Sequence, residues 1–228
     1  MMPLWSMALF GSRARGDDDP QSDVDILFIT DEEKPRLINS NRMSCSFYPS
    51  SHLLTKAKQG DLFVLHLVRE AKVIYDDRDD FAAMSRAFRL KKSYDPVVEQ
   101  ASSLGRFMLR YSDGFDDAAL VNRRIAWCVR TILIARAAEE RKAIFAANAL
   151  AEFANTRSVE QLIRNKGAPV LDASILKGFS AFLDKWGRSG IEPEAPAEAY
   201  LEYFKRTGNS VGLRTYFASR DTAAEVYE

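Results

Sequence analysis

The stretch that decides the fold of the first part of the chain is GSRARGDDDPQSDVDILFIT, residues 11–30. The apolar run before it, Leu4–Phe10, predicts a buried β-strand that ends in a glycine turn. Residues 24–30 are rich in β-branched and aromatic side chains, so they predict a second strand. The polar segment between these strands is therefore the first place to look for a functional site.

Two carboxylates, Asp23 and Asp25, lie at the start of the second predicted strand. Side chains at positions i and i+2 of a strand point to the same face, so these two carboxylates are expected side by side. Like charges this close repel each other unless a cation neutralises them. Mg²⁺ and Mn²⁺ prefer oxygen ligands of this kind. The pattern predicts a divalent metal site, and the alternative is a solvated strand edge.

The turn after the first predicted strand begins with Gly11 and Ser12. Glycine lets the backbone approach a ligand closely, and the amides and small hydroxyl of such a turn can bind a phosphate. Arg13 or Arg15 can add charge-assisted hydrogen bonds. A phosphate-binding turn beside a metal site is the arrangement that in-line nucleotidyl transfer requires.

The composite pattern, Gly-Ser-x-Ala-Arg-Gly, an acidic loop and then Ser-Asp-Val-Asp-Ile-Leu, resembles the signature of the minimal nucleotidyltransferases of the DNA polymerase β-like superfamily. The close resemblance spans Ala8 to Phe28. It implies a Mg²⁺-dependent transferase that moves a nucleoside monophosphate from a nucleoside triphosphate (NTP), such as ATP, to an acceptor and releases pyrophosphate. It also implies Asp23 and Asp25 as the catalytic metal ligands. The NTP-binding residues that it implies are Gly11, Ser12 and Arg15.

One feature departs from the family pattern. The family usually has a third carboxylate on the next strand, where it completes the metal site and helps to deprotonate the acceptor. Alternation along the predicted strand at residues 42–48 places Ser44 at that position and Ser46 at the next position on the same face. Neither hydroxyl can act as a general base at neutral pH. Two functions therefore stay open: an active nucleotidyltransferase, or a catalytically weakened module that senses nucleotides or pairs with a protein, as toxin–antitoxin components do.

The sequence does not select an acceptor. A small molecule, a protein hydroxyl and an RNA end are all compatible with it. Lys+Arg and Asp+Glu both number 32, and the resulting zero net charge gives no global attraction for a long nucleic acid. A homodimer or a complex with another protein is also compatible with the sequence.

The chain changes character near residue 80. Before it, strands predicted at residues 4–10, 24–30, 42–48 and 72–75 are combined with helices predicted at about 50–59 and up to about 70. After it, helical periodicity dominates. We predict an α+β fold: a nucleotidyltransferase domain with a small mixed β-sheet and helices at residues 1–90, then an all-α helical bundle domain at residues 91–228. The helices predicted in the second part lie around residues 104–111, 120–137, 145–153, 159–163, 175–186 and 197–204.

Two further groups of residues have both a functional and a structural interpretation. His66 and Glu70 are four residues apart on a predicted helix, where they form either a proton-transfer pair or a structural contact. Arg123, Arg124 and Arg130 lie in an otherwise apolar helix. They either contact the triphosphate or the acceptor, or form a solvated helix face.

The remaining features exclude several classes of protein. Charged residues interrupt every apolar run before it reaches membrane-spanning length. Cys45 and Cys128 are far apart and lack metal-ligand spacing, so free thiols in a reducing compartment are expected. We predict a cytoplasmic protein that does not contact a membrane.

Overall fold

The computed structural model describes residues 3–18 and 22–224, and the side chains of residues 220–224 are not among those described. The last aspartate of the acidic loop, Asp19, lies outside the described residues. Two compact units are present. The described residues up to Lys92, together with Arg141–Ala146, form the first unit. The second unit comprises Ser93–Glu140 and the described residues from Ala147 onward.

The first unit is built on a five-stranded mixed sheet with the strand order β3-β4-β2-β1-β5. Strands β1 and β2 pair antiparallel, as do β1 with β5 and β3 with β4, whereas β2 and β4 pair parallel. The strands β1 to β5 are, in chain order, Leu4–Phe10, Val24–Thr30, Arg36–Ser40, Met43–Pro49 and Lys72–Asp76.

Three helices cover one face of this sheet: α2 (Ser50–Lys58), α3 (Leu62–Glu70) and α4 (Asp80–Ala87). A four-residue helix, α1 (Ser12–Arg15), follows β1 directly. The core between the sheet and the helices consists of almost completely buried apolar side chains. Burial of this kind stabilises a fold by about 1.5–3 kcal/mol for each large apolar side chain. The core residues are Phe10, Leu27, Ile29, Leu53, Ala57, Val64, Leu67 and Met84.

The opposite face of the sheet is also apolar, but its side chains are only partly covered. Phe28 and Phe47 face each other in register across β2 and β4, and their rings stack at 4.8 Å. The guanidinium of Arg36 lies 4.3 Å from the Phe47 ring centre. The edge strands leave Ile38 and Ile74 42% and 57% exposed.

The second unit is helical throughout its regular structure. Helices α5 and α6 are its longest elements, and both bury an apolar face. The helices α5 to α11 are Asp95–Tyr111, Ala118–Glu139, Ala147–Ala154, Arg157–Arg164, Ala173–Trp186, Ala197–Thr207 and Ser210–Ala224. No helix in the described part of the chain is both long enough and apolar enough to cross a membrane. Cys45 and Cys128 are both free thiols.

The predicted fold class is confirmed: a small mixed sheet with helices precedes a helical C-terminal region. Several local features differ from the prediction. Strand β3, Arg36–Ser40, was not predicted, because all five of its side chains are exposed and its sequence does not alternate. Helices α4 and α11 were not predicted either. The helix predicted from Phe145 begins at Ala147, because Phe145 is buried in the first unit instead.

Candidate active site

The turn after β1 has a backbone that favours glycine. Gly11 has a φ of 79°, in the region that L-residues with a side chain rarely adopt. Its carbonyl accepts a hydrogen bond from the Arg15 amide at 3.2 Å, and the Ser12 carbonyl accepts from the Gly16 amide at 2.8 Å. Gly16 ends α1 with a φ of 82°. The two glycines therefore fold residues 11–16 into one compact helical turn.

Gly11 also lies directly against Asp25. The neighbouring residue, Phe10, is the register partner of Asp25 across β1 and β2. A Cβ atom on Gly11 would lie 2.4 Å from Oδ2 of Asp25, well inside van der Waals contact. The absence of a side chain at Gly11 is therefore what allows the Asp25 carboxylate to lie against the turn.

The two predicted metal ligands have different surroundings. Asp25 lies in β2 on the same sheet face as Leu27, and it is half-buried. Asp23 comes just before β2 and is exposed. The Val24 amide between them donates to the Arg42 carbonyl at 2.7 Å, which joins this end of β2 to the start of β4. The structure thus puts Asp25 beside the turn, whereas Asp23 is exposed to solvent.

Arg13 holds the polar segment between α1 and β2. Its Nε and Nη2 atoms donate to the Ser22 carbonyl at 3.2 and 2.9 Å. Its Nη1 atom donates to Asp18 at 3.2 Å. Ser22 immediately precedes Asp23, so Arg13 fixes the chain directly before the first predicted metal ligand.

Arg15 connects α1 to α3. Its Nη1 atom donates to Oε2 of Glu70 at 2.9 Å, and its Nε atom donates to Asp17 at 3.0 Å. The side chains of Arg15 and Glu70 are 13% and 16% exposed, so water screens this ion pair only in part. These two donations hold the guanidinium against the protein, so Arg15 braces the turn.

The predicted pair of His66 and Glu70 is present as a structural contact. Nε2 of His66 lies 2.7 Å from Oε2 of Glu70. The same atom lies 3.3 Å from Nη1 of Arg15. The His66 ring stacks at 4.6 Å on Phe145, which enters the first unit from a segment more than 70 residues further along the chain. Only the contact within the helix could have been predicted from spacing.

The third carboxylate is missing at the expected place. Ser44 is the register partner of Asp25 across the parallel strands β2 and β4, as the alternation predicted. Ser46 is the partner of Leu27 and is 7% exposed. Among the side chains that the structure describes, those of residues 3–18 and 22–219, no three histidine, cysteine, aspartate or glutamate groups lie together where they could hold a metal ion.

The residues present nevertheless suit one type of metal ion. Mg²⁺ is commonly bound by one or two protein carboxylates, with water and substrate phosphates at its other positions. Asp25 beside the Gly11 turn, with Asp23 two residues before it, fits a site of that kind. A fully protein-ligated cage would need further oxygen ligands, which the described residues do not group there.

Comparison with known families gives the same assignment for this part of the chain. Residues 4–92 match the family model of the nucleotidyltransferase domain. These residues are therefore similar to that family. The match contains every predicted site residue, from Gly11 to Asp25, and all five strands of the sheet. The general activity that this family supports is nucleotidyl transfer.

A comparison with solved structures gives one further similarity. A nucleotidyltransferase-like protein from Exiguobacterium sibiricum 255-15 aligns with 79% of this chain and 69% of its own, at 14% identity and a TM-score of 0.32. No curated protein sequence matches the chain at a significant level.

Proposed function

We propose that the chain is a metal-dependent nucleotidyltransferase that moves a nucleoside monophosphate from an NTP to an acceptor and releases pyrophosphate. The observation that carries the proposal is the close approach of Gly11 to Asp25, with 2.4 Å between a Cβ position on the glycine and Oδ2 of the aspartate. It joins a turn suited to phosphate with a carboxylate suited to a metal ion. The family match of residues 4–92 supports the same reaction class.

Each residue of the turn has one role in this proposal. The Ser12 hydroxyl and the amides of the turn bind the outer phosphates of the NTP, because donors on a rigid turn need no rearrangement to do so. Gly11 leaves room for those phosphates to approach the backbone. Asp23 and Asp25 hold Mg²⁺ or Mn²⁺, which neutralises charge on the phosphates and orients them when it is bound.

Arg15 has an indirect role in this account. Its guanidinium is bonded to Glu70 and Asp17, so it orients α1 and with it the Gly11-Ser12 turn. Arg15 contributes to NTP binding by positioning donors.

The proposal is tested by following label from the α-phosphate of each of the four NTPs into acceptors supplied as a cell extract. Wild-type protein is compared with the Asp23→Ala/Asp25→Ala double variant in the presence of Mg²⁺ or Mn²⁺. We expect label in one class of product, small molecule, protein or RNA, with the wild type alone. Equal labelling by the double variant would contradict the proposed roles of these aspartates.

A second function is favoured by Ser44. The register with Asp25 puts a hydroxyl where a third carboxylate would help to deprotonate the acceptor. A module with this site binds an NTP with Mg²⁺ and responds to it, or pairs with a protein partner, without turnover. NTP binding by calorimetry, without label transfer or pyrophosphate release, would support this function over the enzyme.

A further inference from the structure

A small cavity of about 190 Å³ opens within the first unit, at the edge of the sheet that β3 and β4 form. Phe63, from α3, forms one of its walls. The residues that line the cavity are Pro35, Arg36, Leu37, Ser46, Tyr48 and Phe63. The proposed reaction assigns no role to any of them, so the cavity is a feature of the first unit that the active site does not explain.

The cavity lies on the same face of the sheet as Asp25. Asp25 and Leu27 share one face of β2. Across the parallel pairing, Ser44 and Ser46 are their respective partners on β4. Ser46 pairs in turn with Leu37 on β3. The cavity therefore begins one same-face position beyond Ser44, a step of roughly 6.6 Å along the strand.

The strand order sets the cavity on the side of Asp25 that is away from the phosphate-binding turn. The Gly11-Ser12 turn follows β1, Asp25 lies in β2, and the cavity is lined from β4 and β3, which come next in the sheet. In-line transfer needs the attacking oxygen and the leaving pyrophosphate on opposite sides of the transferred phosphorus. With pyrophosphate at the turn and a metal ion at Asp25, the attacking hydroxyl comes from the side of the cavity.

The walls of the cavity are mainly apolar. The rings of Tyr48 and Phe63 lie 5.4 Å apart, and Phe63 also packs edge-on against Phe10 at 5.7 Å. Leu37, on the solvent side, is 56% exposed. Walls of this kind favour a ligand with an apolar body, because contact with them removes apolar surface from water.

The polar side chains of the cavity favour an uncharged ligand. Ser46 is 7% exposed, and burial raises the pKa of Tyr48, so both side chains are neutral hydroxyls. Such groups donate to and accept from the hydroxyl of an alcohol. Arg36 also lines the cavity, but its guanidinium donates to Glu32 and lies over the Phe47 ring on the other face of the sheet. An RNA end, whose phosphates are bound by lysines and arginines, is a poor match for this lining.

We propose that this cavity binds the acceptor, and that the acceptor is a small uncharged alcohol whose body is about the size of one ring. The inference rests on the proposed nucleotidyl transfer for the reaction and on the cavity alone for the ligand. In the reaction the alcohol oxygen forms a bond to the α-phosphorus of the NTP as the bond from that phosphorus to pyrophosphate breaks. The hydroxyl proton passes to water, since Ser44 has no carboxylate to accept it.

Ligand-observed NMR titration of the full chain, without NTP or metal ion, tests the ligand class. Benzyl alcohol is the uncharged probe and benzoate is the charged one. We expect Leu37→Trp to weaken benzyl alcohol binding by at least about tenfold, because the indole fills a cavity of ring size. Benzoate should bind the wild type at least about tenfold more weakly than benzyl alcohol, because burying a charge in apolar surroundings is unfavourable.

Ile38→Trp is the matched control for Leu37→Trp. Ile38 follows Leu37 on β3, is 42% exposed and points to the other face of the sheet, so this variant should bind benzyl alcohol as the wild type does. Both positions are exposed, and thermal melting checks that both variants are folded. Equal binding of benzyl alcohol by the wild type and Leu37→Trp, or equal binding of benzoate and benzyl alcohol, would overturn the proposal.

Transfer of label from the α-phosphate of an NTP to acceptors in a cell extract tests the role of the cavity. We expect Leu37→Trp to lower transfer by at least about tenfold with Mg²⁺-NTP binding unchanged, since only acceptor binding is lost. Loss of NTP binding in this variant would assign the cavity to the nucleotide and overturn the proposal, as would label on RNA.

The product identifies the source of the hydroxyl. Label in the small-molecule fraction supports a free alcohol, as proposed, whereas label on protein alone would replace it with a hydroxyl side chain. Failure of the proposed function has a different signature. If the wild type binds benzyl alcohol but transfers no label from any NTP, nucleotidyl transfer is contradicted and the cavity is supported as a binding site for alcohols.

Discussion

At the scale of single residues, Gly11 is the position on which the candidate site depends most. Two independent constraints act there: a φ of 79° and a close approach to Asp25. Gly16 shares only the first, since its φ is 82° and a Cβ atom on it would meet nothing within 4 Å. The two glycines therefore form a matched pair for separating backbone strain from crowding of the carboxylate.

We expect Gly11→Ala to weaken Mg²⁺-dependent NTP binding by at least about tenfold, because the new methyl group displaces Asp25 from the turn. Gly16→Ala should lower stability by about 1 kcal/mol through backbone strain but leave binding nearly unchanged. Calorimetric NTP titration and urea unfolding measure the two effects. Equal loss of binding in both variants would show that strain alone is responsible.

Ser44 is the residue at which the two proposed functions differ. Replacing it with aspartate adds a carboxylate in register with Asp25. We expect Ser44→Asp to tighten Mn²⁺ binding by about tenfold and to raise the rate of pyrophosphate release, because a third carboxylate completes the metal site. Without metal the same variant should be less stable, because like charges repel.

Ser46→Asp is the control for Ser44→Asp. Ser46 lies on the same strand and the same face but is only 7% exposed and pairs with Leu27. A carboxylate there enters the core, so we expect loss of stability without tighter metal binding. Thermal melting with and without Mn²⁺ distinguishes the variants, and equal behaviour of the two would contradict the special position of Ser44.

The residues of the turn could be predicted from the sequence because they are local. Gly11 and Ser12 follow a strand, and Asp23 and Asp25 are two residues apart, so spacing alone brings each pair together. The contact between Arg15 and Glu70 could not be predicted, because 55 residues separate them. Nothing in either local sequence indicates that α1 and α3 lie side by side.

At the scale of elements, the link between α1 and α3 is the contact that positions the turn. We expect Glu70→Gln to lower the free energy of unfolding by about 1–3 kcal/mol, the usual contribution of a hydrogen bond to a charged group. It should also weaken NTP binding, because α1 is no longer fixed. A double-mutant cycle with Arg15→Gln measures the coupling, and additive effects would show that the two side chains act independently.

Asp95, the first residue of α5, makes the stability of the protein depend on pH. The hydrogen bond from Arg136 is the largest cause that lowers the pKa of Asp95, and the charges of Arg188 and Arg136 add to it. A carboxyl whose pKa is lowered by folding stabilises the protein at pH values above its pKa in the unfolded chain, here near 3.8. This stabilisation is lost as the pH falls through the pKa of the folded protein. Stability should therefore decrease below about pH 4.

Thermal midpoints measured between pH 7 and pH 3 test this dependence. Asp95→Asn removes the titrating group, so its midpoint should be lower than that of the wild type at pH 7 and should fall less on acidification. The residue that caps the start of α6 is a similar group, since a backbone hydrogen bond from Leu120 lowers the pKa of Asp117. A midpoint that falls equally in both proteins would assign the acid dependence to such other groups.

Elements with a buried apolar pattern were predictable, and elements without one were not. Strands β1 and β2 bury alternate side chains against the helices, and the sequence predicted their bounds correctly. Strand β3 is exposed along its whole length and lies at the sheet edge, so only its hydrogen bonds to β4 define it. The burial of Phe145 against His66 is a tertiary contact with no local signal.

At the scale of the whole molecule, residues 4–92 are similar to a known family, and the helical unit lies outside the residues that the family model matches. The family model matches residues 4–92, and the second unit begins at Ser93. The family match supports nucleotidyl transfer in general, whereas the acceptor depends on residues for which the sequence offers no motif. A domain boundary at residue 90 stays a prediction, and the first unit also includes Arg141–Ala146.

The central claim, that Asp25 beside the Gly11 turn serves metal-dependent nucleotidyl transfer, is tested most directly by pyrophosphate release. Wild-type protein and Asp25→Asn are compared with each NTP, Mg²⁺ and a cell extract as the source of acceptor, after thermal melting has shown that both are folded. We predict release by the wild type and a rate at least about 100-fold lower for the variant, since metal ligation contributes several kcal/mol. Equal release by both proteins, or none from any NTP by the wild type, would contradict the account.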